Sequence, residues 1–120
     1  MSVVIGNQTF NAEYLENPED IRKGMMGRDE LNGCMVFKMG KGYHSFWMKN
    51  CLIPLDIVFV LNNRISKIHR NCPPVNMRVL TPPKYTGIGD HVIEFAAGTS
   101  EKWKEGDKVS MYLGSPSNPV

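Results

Sequence analysis

The residues best suited to carry chemistry lie in one stretch near the middle of the chain, between residues 44 and 56. The stretch contributes an imidazole, an indole, an amine, an amide and a carboxyl group, from His44, Trp47, Lys49, Asn50 and Asp56. Pro54 interrupts it, and we expect these side chains to lie close together around that break. Lysines and acids whose pKa values are shifted by burial cluster at functional sites. The stretch therefore predicts a pocket beside Trp47 in which Lys49 or Asp56 binds or processes a small polar ligand.

A structural role for the same residues is the commoner outcome in proteins, because buried polar groups are usually satisfied by hydrogen bonds. In that alternative, Asp56 accepts backbone N–H groups around the Pro54 bend. Asn50 then closes a turn, and Trp47 packs in the core. The residue types alone leave both interpretations open.

Basic residues around the predicted first helix offer a second candidate site. Arg22, Lys23 and Arg28 are close in sequence, and arginine binds carboxylates or phosphates through pairs of N–H groups. These cations could meet an anionic ligand. Alternatively, the stem of Arg22 covers the helix surface and Arg28 bonds Glu94 or Asp56. We therefore include Arg28 and Glu94 among the candidate binding residues.

The chain has enough soft side chains for one tetrahedral zinc site. They are Cys34, His44, Cys51, His69, Cys72 and His91. Their spacing fits no zinc pattern, so we expect neither a metal nor a cofactor. The odd number of cysteines, with no Cys-x-x-Cys spacing, favours free thiols in a reducing compartment.

Cys51 is the cysteine closest in sequence to a base, His44, and a thiol nucleophile needs such a base. No catalytic signature surrounds it. The chain has no Gly-x-x-x-x-Gly-Lys-Ser/Thr phosphate loop, no His-Glu-x-x-His and no Gly-x-Ser-x-Gly. The sequence therefore gives no support to a standard enzyme class and favours a non-enzymatic protein.

Charge and hydropathy exclude two classes of partner. The formal net charge is +2, from 14 Lys and Arg against 12 Asp and Glu, and neither sign forms a long block, so we expect no nucleic acid. The longest apolar run, residues 57–61, is far below the roughly 20 residues needed to cross a bilayer. Residues 1–5 meet Gly6 and Asn7 instead of a long apolar stretch, which predicts no secretory signal. We therefore expect a cytoplasmic protein that contacts no membrane.

The elements that must position the candidate residues are mostly short strands. Strands are predicted over residues 3–5, 8–14, 34–37, 55–61, 64–69, 91–95 and 108–113. The run Leu55–Leu61 is rich in β-branched and aromatic residues and is expected to be central. Gly6-Asn7 and Asn62-Asn63 each predict a hairpin turn between consecutive strands.

One helix and one long loop are predicted between these strands. Asn17 is expected to cap a helix over residues 18–26 that buries Ile21 and Met25. Residues 71–90 contain two Pro-Pro pairs and two glycines, and they predict a long irregular loop. Loops of this length are often functional.

These elements together predict an α+β fold that is predominantly antiparallel β, barrel-like or built of two packed sheets, with one or two short helices. A chain of 120 residues has the size of one domain. We predict a single domain over residues 1–113 and a flexible C-terminal tail over residues 114–120.

Several motifs, taken in order, are similar to those of a known family. The motifs are Arg-Lys-Gly-Met-Met-Gly-Arg at 22–28, Gly-Cys-Met-Val-Phe at 33–37, Ser-Phe-Trp-Met-Lys-Asn at 45–50, Pro-Leu-Asp at 54–56, Pro-Pro at 73–74 and Val-Ile-Glu-Phe-Ala-Ala-Gly at 92–98. On these motifs the chain resembles the domain-of-unknown-function family numbered 192, found in bacteria, archaea and viruses. The resemblance implies a predominantly antiparallel β fold with one or two short helices. It implies no activity, because the family has no established role and a fold does not transfer function.

The sequence favours a non-enzymatic binding or protein-interaction module, in which the loop over residues 71–90 contacts the partner. A first alternative is a small ligand-processing enzyme with a pocket around Trp47, Lys49 and Asp56. A second alternative is a structural component of a phage or cellular assembly, which would make the protein virion-associated. The expected partner is accordingly an unknown protein or a small polar ligand.

Overall fold

The computed structural model describes residues 1–76 and 78–114, which contain seven strands and one helix. In chain order these are β1 (Ser2–Ile5), β2 (Gln8–Leu15), α1 (Pro18–Lys23), β3 (Cys34–Trp47), β4 (Leu55–Leu61), β5 (Arg64–Cys72), β6 (Lys84–Ala96) and β7 (Val109–Tyr112). All seven strands form one sheet in the order β5-β4-β6-β3-β2-β1-β7. Neighbouring strands are antiparallel except for β2 and β3, which are parallel. The predicted α+β fold with predominant antiparallel β is therefore confirmed.

The sheet curls into a half-barrel, so that the chain just before β7 meets the start of β5. The Ile65 N–H donates to the Asp107 carbonyl at 2.9 Å, and the Gly106 N–H donates back to the Ile65 carbonyl at 2.8 Å. Val109 N–H donates to the carbonyl of Asn63 at 2.8 Å. Strands β5 and β7 are the two edges of the sheet, and these bonds close one end of the seam between them.

Each face of the curled sheet carries its own apolar cluster, because successive side chains of a strand point to opposite faces. The inner cluster contains Val36, Val58, Ile93 and Phe95, with Trp103 packed among them. The outer cluster contains their strand neighbours on the other face, and its largest members are Met25, Met35, Phe37, Met48, Leu55, Ile57 and Phe59. The chain segments around α1 and after β3 cover this outer cluster.

The long strands β3 and β6 bend sharply where their pairing register shifts, between Lys38 and Gly42. The rings of Phe37 and Phe46 lie 5.1 Å apart, although nine positions of straight strand would separate them by about 30 Å. The ring of Phe46 also lies 6.0 Å from that of Phe59 on β4. The outer halves of the two strands, residues 42–47 of β3 and 84–89 of β6, therefore fold back over the outer face of the sheet.

The two predicted hairpin turns and the predicted position of β4 are confirmed. Gly6 has a φ of 61° between β1 and β2, and Asn62 and Asn63 have φ values of 51° and 64° between β4 and β5. Tight hairpin turns have a positive φ at both central positions, as at Asn62-Asn63, or a glycine with positive φ at the first, as at Gly6-Asn7. Strand β4 is paired on both sides, with β5 and with β6.

The predicted helix over residues 18–26 is too long, because α1 ends at Lys23. Gly24 follows it with a φ of 44°, a left-handed conformation that stops a helix. The Asn17 side chain caps the other end by accepting the Glu19 N–H at 2.9 Å, as predicted. Met25 is buried as predicted, and Ile21 packs against the outer cluster.

The predicted loop over residues 71–90 is wrong at both ends. Strand β5 runs on to Cys72, and β6 already begins at Lys84, so the connection is limited to residues 73–83. Gly87 and Gly89, which the sequence predicts to be loop residues, lie inside β6. There the lack of a side chain allows close packing. A Cβ on Gly87 would lie 2.7 Å from the Phe59 ring, and one on Gly89 would lie 2.8 Å from the Val60 carbonyl oxygen. Most of the predicted tail, residues 115–120, lies outside the described residues.

Candidate functional site

A cavity of about 180 Å³ opens between the segment around α1 and the folded-back half of β3; we call it the α1 cavity. Its lining residues are Ile21, Arg22, Lys23, Gly24, Met25, Met26, Phe37, Met39, Ser45, Phe46, Trp47, Lys49, Cys51 and Glu94. This volume is far more than the roughly 10–15 Å³ that one water molecule needs. It is below the roughly 300 Å³ where ordinary ligand pockets begin, so the cavity suits a small molecule.

Two features hold the helical wall of the α1 cavity in place. Met25 is buried in the outer cluster and anchors the chain directly after α1. Gly24 allows close approach to the sheet, since a Cβ at this position would lie 3.2 Å from the Phe37 ring. The bend in β3 supplies the opposite wall, because it brings Ser45, Phe46 and Trp47 over the sheet.

The segment after β3 is fixed by backbone hydrogen bonds that position Lys49 and Cys51 on the cavity wall. Asn50 adopts a positive φ of 63°, and its carbonyl accepts the Gly27 N–H at 2.9 Å. Its own N–H donates to the Val75 carbonyl at 3.3 Å. Asn50, a predicted binding residue, is thus placed at a turn beside the cavity and is not among the cavity-lining residues.

Glu94 is the one acid in the cavity lining, and it is 3% exposed. It lies on β6 opposite Met35 and Ile57, which belong to the outer cluster. Burial raises the pKa of Glu94 to about 8, and no hydrogen bond or cation in the described part of the chain offsets this effect. Among the described residues, every side-chain oxygen without a hydrogen-bond partner has some accessible surface. The carboxyl group of Glu94 is therefore accessible from the cavity that it lines. At neutral pH it is mostly a neutral acid that can donate one hydrogen bond.

The mouth of the α1 cavity is basic. Arg22 and Lys23 are exposed and Lys49 is half-buried. Lys49 Nζ lies 5.4 Å from the centroid of the Trp47 ring, a cation–π distance. Within residues 1–76 and 78–114, no salt bridge involves any of these three cations.

Cys51 also lines the cavity, but its environment does not favour nucleophilic chemistry. Burial, with a smaller contribution from neighbouring Glu94, raises the pKa of the Cys51 thiol to about 12. A thiol attacks as its thiolate, so Cys51 is unreactive near neutral pH. Among the residues that the structure describes, no group of three or more His, Cys, Asp or Glu side chains could hold a metal ion.

Asp56 lies on the opposite face of the sheet from Glu94 and does not line the cavity. It is fully buried, and its carboxylate accepts the backbone N–H groups of Asn71, Gly98 and Ser100 at 2.8, 3.2 and 2.9 Å. The Ser100 hydroxyl donates a fourth bond at 2.6 Å. Asp56 therefore ties together β4, β5 and the turn after β6.

The remaining predicted site residues lie away from the α1 cavity. Arg28 was expected to bond Glu94 or Asp56, but both of its terminal nitrogens donate to Glu13 at 2.8 Å. This ion pair lowers the pKa of Glu13 and raises that of Arg28. His44 faces the bend in β3, where its Nε2 contacts the Gly40 carbonyl oxygen.

The structure thus unites three of the seven predicted site residues, Trp47, Lys49 and Glu94, in one cavity. It adds lining residues that sequence reasoning did not select, mainly Met26, Phe37, Met39 and Phe46. Phe37 and Phe46 are separated in sequence by the bend in β3, and only the bend brings them together. The sequence does indicate that Glu94 is a candidate site residue, because it is an acid inside an otherwise apolar strand segment, Val92–Phe95.

Two solved structures are similar to this one. A protein of unknown function from Novosphingobium aromaticivorans DSM 12444 is 32% identical, with a TM-score of 0.79 and alignment over 92% of this chain and 84% of that chain. A "putative transcription regulator" from Sinorhizobium meliloti 1021 is 24% identical, with a TM-score of 0.75 and alignment over 91% of this chain and 89% of that chain. The second likeness, at its lower identity, shows the fold alone.

A search of curated proteins finds no match to the chain. No helix in the described part of the chain has the length and hydropathy to span a membrane. The model of the domain-of-unknown-function family DUF192, described as "Uncharacterized ACR", matches residues 1–111. The chain therefore belongs to the DUF192 family, whose biochemical function is not established.

Proposed function

We propose that this chain is a non-enzymatic binding domain that holds a small organic molecule in the α1 cavity. The observation that carries the proposal is Glu94, a carboxyl group buried in the cavity wall with no hydrogen-bond partner in the described residues. Burying a polar group without a partner costs free energy. The Glu94 carboxyl group is accessible from the cavity, so a ligand there can supply the hydrogen bond that the described residues do not.

The other lining residues support binding rather than catalysis. Aromatic and methionine side chains give apolar contact area, which is the usual composition of a small-molecule site. Cys51 and Glu94 both have raised pKa values and are predominantly protonated near neutral pH. The Cys51 thiol is therefore a poor nucleophile, and Glu94 is available as a hydrogen-bond donor.

Binding can be tested with a metabolite extract and amide NMR spectra of the ¹⁵N-labelled protein. We expect shifts confined to amides around the cavity, such as Gly24, Lys49 and Glu94, and recovery of the bound compound unchanged after denaturation. Glu94→Leu and Trp47→Ala should each abolish the shifts, while the matched control Glu13→Gln should retain them. Unchanged spectra for the wild type would contradict the proposal, and a chemically altered compound would favour the enzyme alternative.

A protein-interaction surface is a second candidate, because several apolar side chains near residues 73–83 are exposed. Leu80 is 94% exposed and Leu52 is 57% exposed. Deleting residues 71–90 would not test this idea, since it would remove half of β6. The double variant Leu52→Ser/Leu80→Ser is the better test. It should abolish capture of the partner in pull-downs while the NMR spectrum stays folded, and capture equal to wild type would exclude this surface.

We place the activity in the cytoplasm as part of the same proposal. Its support is the state of the cysteines, since Cys34, Cys51 and Cys72 are all buried and free. Free thiols are typical of reducing compartments.

A further inference from the structure

The charges of the α1 cavity are arranged unequally along its depth. Three cations, Arg22, Lys23 and Lys49, line it from its exposed side, and Glu94 is the buried acid. A concave site lined by charge of one sign raises the local concentration of the opposite charge. The mouth therefore attracts an anionic group, and the three cations can bind it because no salt bridge in the described residues occupies them.

The inner end of the cavity selects a different kind of group. Cys51 lines the cavity with Glu94, and the charge of Glu94 raises the pKa of the thiols of both Cys51 and Cys72. No cation among the described residues is close enough to shift the pKa of Glu94. Because Glu94 is mostly a neutral acid at pH 7, it can donate a hydrogen bond to a neutral oxygen without any change of charge. An ammonium group would have to pass three cations and lose its hydration in an apolar wall. There it would face a neutral acid or force Glu94 to ionise, and either outcome costs more.

Most of the remaining lining is apolar. Met25, Met39, Phe37 and Phe46 contribute to it, and Trp47, which is 42% exposed, also lines the cavity. A short carbon chain or ring fits this surface and the volume of about 180 Å³.

We infer that the α1 cavity takes a small organic anion, with its acid group among Arg22, Lys23 and Lys49 and a neutral hydroxyl or carbonyl oxygen against Glu94. This inference rests on the proposed binding function and specifies the class of ligand. The placement of the two polar groups follows from the exposure of the side chains, because the three cations are exposed or half-buried whereas Glu94 is buried.

Four probes with the same five-carbon body test the inference: 5-hydroxypentanoate, pentanoate, 1,5-pentanediol and 5-aminopentanoate. Each is titrated into the ¹⁵N-labelled protein at pH 6.5, and dissociation constants are taken from the cavity amides. We expect 5-hydroxypentanoate to bind about tenfold more tightly than either pentanoate or the diol, because each of these lacks one polar contact. The aminopentanoate should bind more weakly than the hydroxypentanoate.

Variants identify which end of the probe contacts which residue. Lys49→Met should weaken the binding of 5-hydroxypentanoate and of pentanoate by severalfold and leave that of the diol unchanged. Glu94→Gln keeps a hydrogen-bond donor and should bind 5-hydroxypentanoate within about threefold of wild type, whereas Glu94→Leu should lose about tenfold. Wild-type affinity for this probe should fall above pH 8, as Glu94 ionises, and Glu94→Gln should remove that fall.

The outcomes separate this inference from the proposed function. Tightest binding by 5-aminopentanoate would overturn the neutral oxygen against Glu94, and equal binding by the diol would overturn the anion assignment. Either result would keep the cavity as a binding site. No shift at cavity amides with any of the four probes would also overturn it, and the metabolite-extract experiment would then decide independently whether the cavity binds a ligand of another class.

Discussion

Two buried acids, Glu94 and Asp56, occupy opposite faces of the same sheet and have opposite environments. Asp56 accepts four hydrogen bonds, which satisfy its oxygens and join three parts of the chain. Glu94 has no such partner in the described residues, and burial keeps it mostly protonated at neutral pH. The contrast assigns Asp56 a structural role and leaves Glu94 for ligand recognition.

Glu94 should make the stability of the protein fall as the pH rises. Its pKa is about 8 in the folded protein and 4.5 ordinarily, so between these values the folded state holds a proton that the unfolded state has released. The free energy of unfolding then decreases by about 1.4 kcal/mol per pH unit over that range. Above pH 8 this dependence should level off.

Glu94→Gln should remove this part of the pH dependence, because glutamine does not titrate. Urea unfolding at pH 5, 6.5 and 8 measures the effect as the difference between the variant and the wild type. Glu13→Gln, which changes an exposed acid, is the matched control and should keep the wild-type slope. Parallel pH profiles for Glu94→Gln and the wild type would contradict the assignment of a raised pKa.

Asp56→Asn should destabilise the protein by about 3 kcal/mol, because an amide NH₂ would face N–H donors that now bond a carboxylate. Glu13→Gln serves again as the comparison. It disrupts only an exposed ion pair, and it should cost less than about 1 kcal/mol. Urea midpoints measure both values, and equal losses in the two variants would argue against the structural role of Asp56.

The sequence predicts much of the chemistry at single residues but not its location. Trp47, Lys49 and Glu94 were all recognised as candidate site residues, and they do line one cavity. Asp56 was grouped with them because it is near in sequence. Strand alternation sends its side chain to the other face, and which face each strand presents to the core depends on the curl of the whole sheet.

At the scale of elements, the bend in β3 and β6 builds the site. It folds one layer of strands over another and depends on close packing at the glycines of β6. Gly87 lies directly against the ring of Phe59, with room for no Cβ. The folded-back layer can approach the sheet only because this position has no side chain.

Gly87→Ala should therefore destabilise the protein by about 1–3 kcal/mol, the usual cost of overpacking. Gly42→Ala on the paired strand is the control, since a Cβ there meets nothing within 4 Å, and it should be close to neutral. Adding Phe59→Leu to Gly87→Ala should cost less than the sum of the two single variants. Thermal unfolding measures all four proteins, and an additive double variant would contradict direct contact as the cause.

Elements defined by local signals were predicted well, and those defined by distant contacts were not. Asn62-Asn63 and the apolar run of β4 specify their hairpin within about 15 residues. The local sequence in the outer half of β6 predicts a loop instead of a strand, because Gly87 and Gly89 are typical of loops. Their role in packing against Phe59 and Val60 exists only once β4 lies alongside.

At the scale of the whole molecule, the seam between β5 and β7 decides whether the curled sheet stays closed around the inner cluster. Backbone bonds close one end, near Ile65. At the other end, Arg70 on β5 donates to the carbonyls of Ser100 and Trp103. Ser100 in turn bonds Asp56, so Arg70 and Asp56 hold the same turn.

Arg70→Met should cost about 1–2 kcal/mol, because these carbonyls lose their bonds to a charged donor. It should also speed amide hydrogen exchange in residues 98–103. Arg64→Met is the matched control on the same strand, since Arg64 makes a single exposed bond to the Gly106 carbonyl at 3.0 Å. Equal protection of residues 98–103 in both variants would show that Arg70 does not secure the seam.

The two tryptophans have different surroundings, and this makes them separate optical probes of two parts of the protein. Trp103 is 6% exposed in the inner cluster, with its indole N–H donating to Gln8 at 3.2 Å. Trp47 is 42% exposed at the mouth of the α1 cavity. Iodide can therefore quench the emission of Trp47 and not that of Trp103, so spectra recorded with and without iodide separate events at the cavity from loosening of the inner cluster.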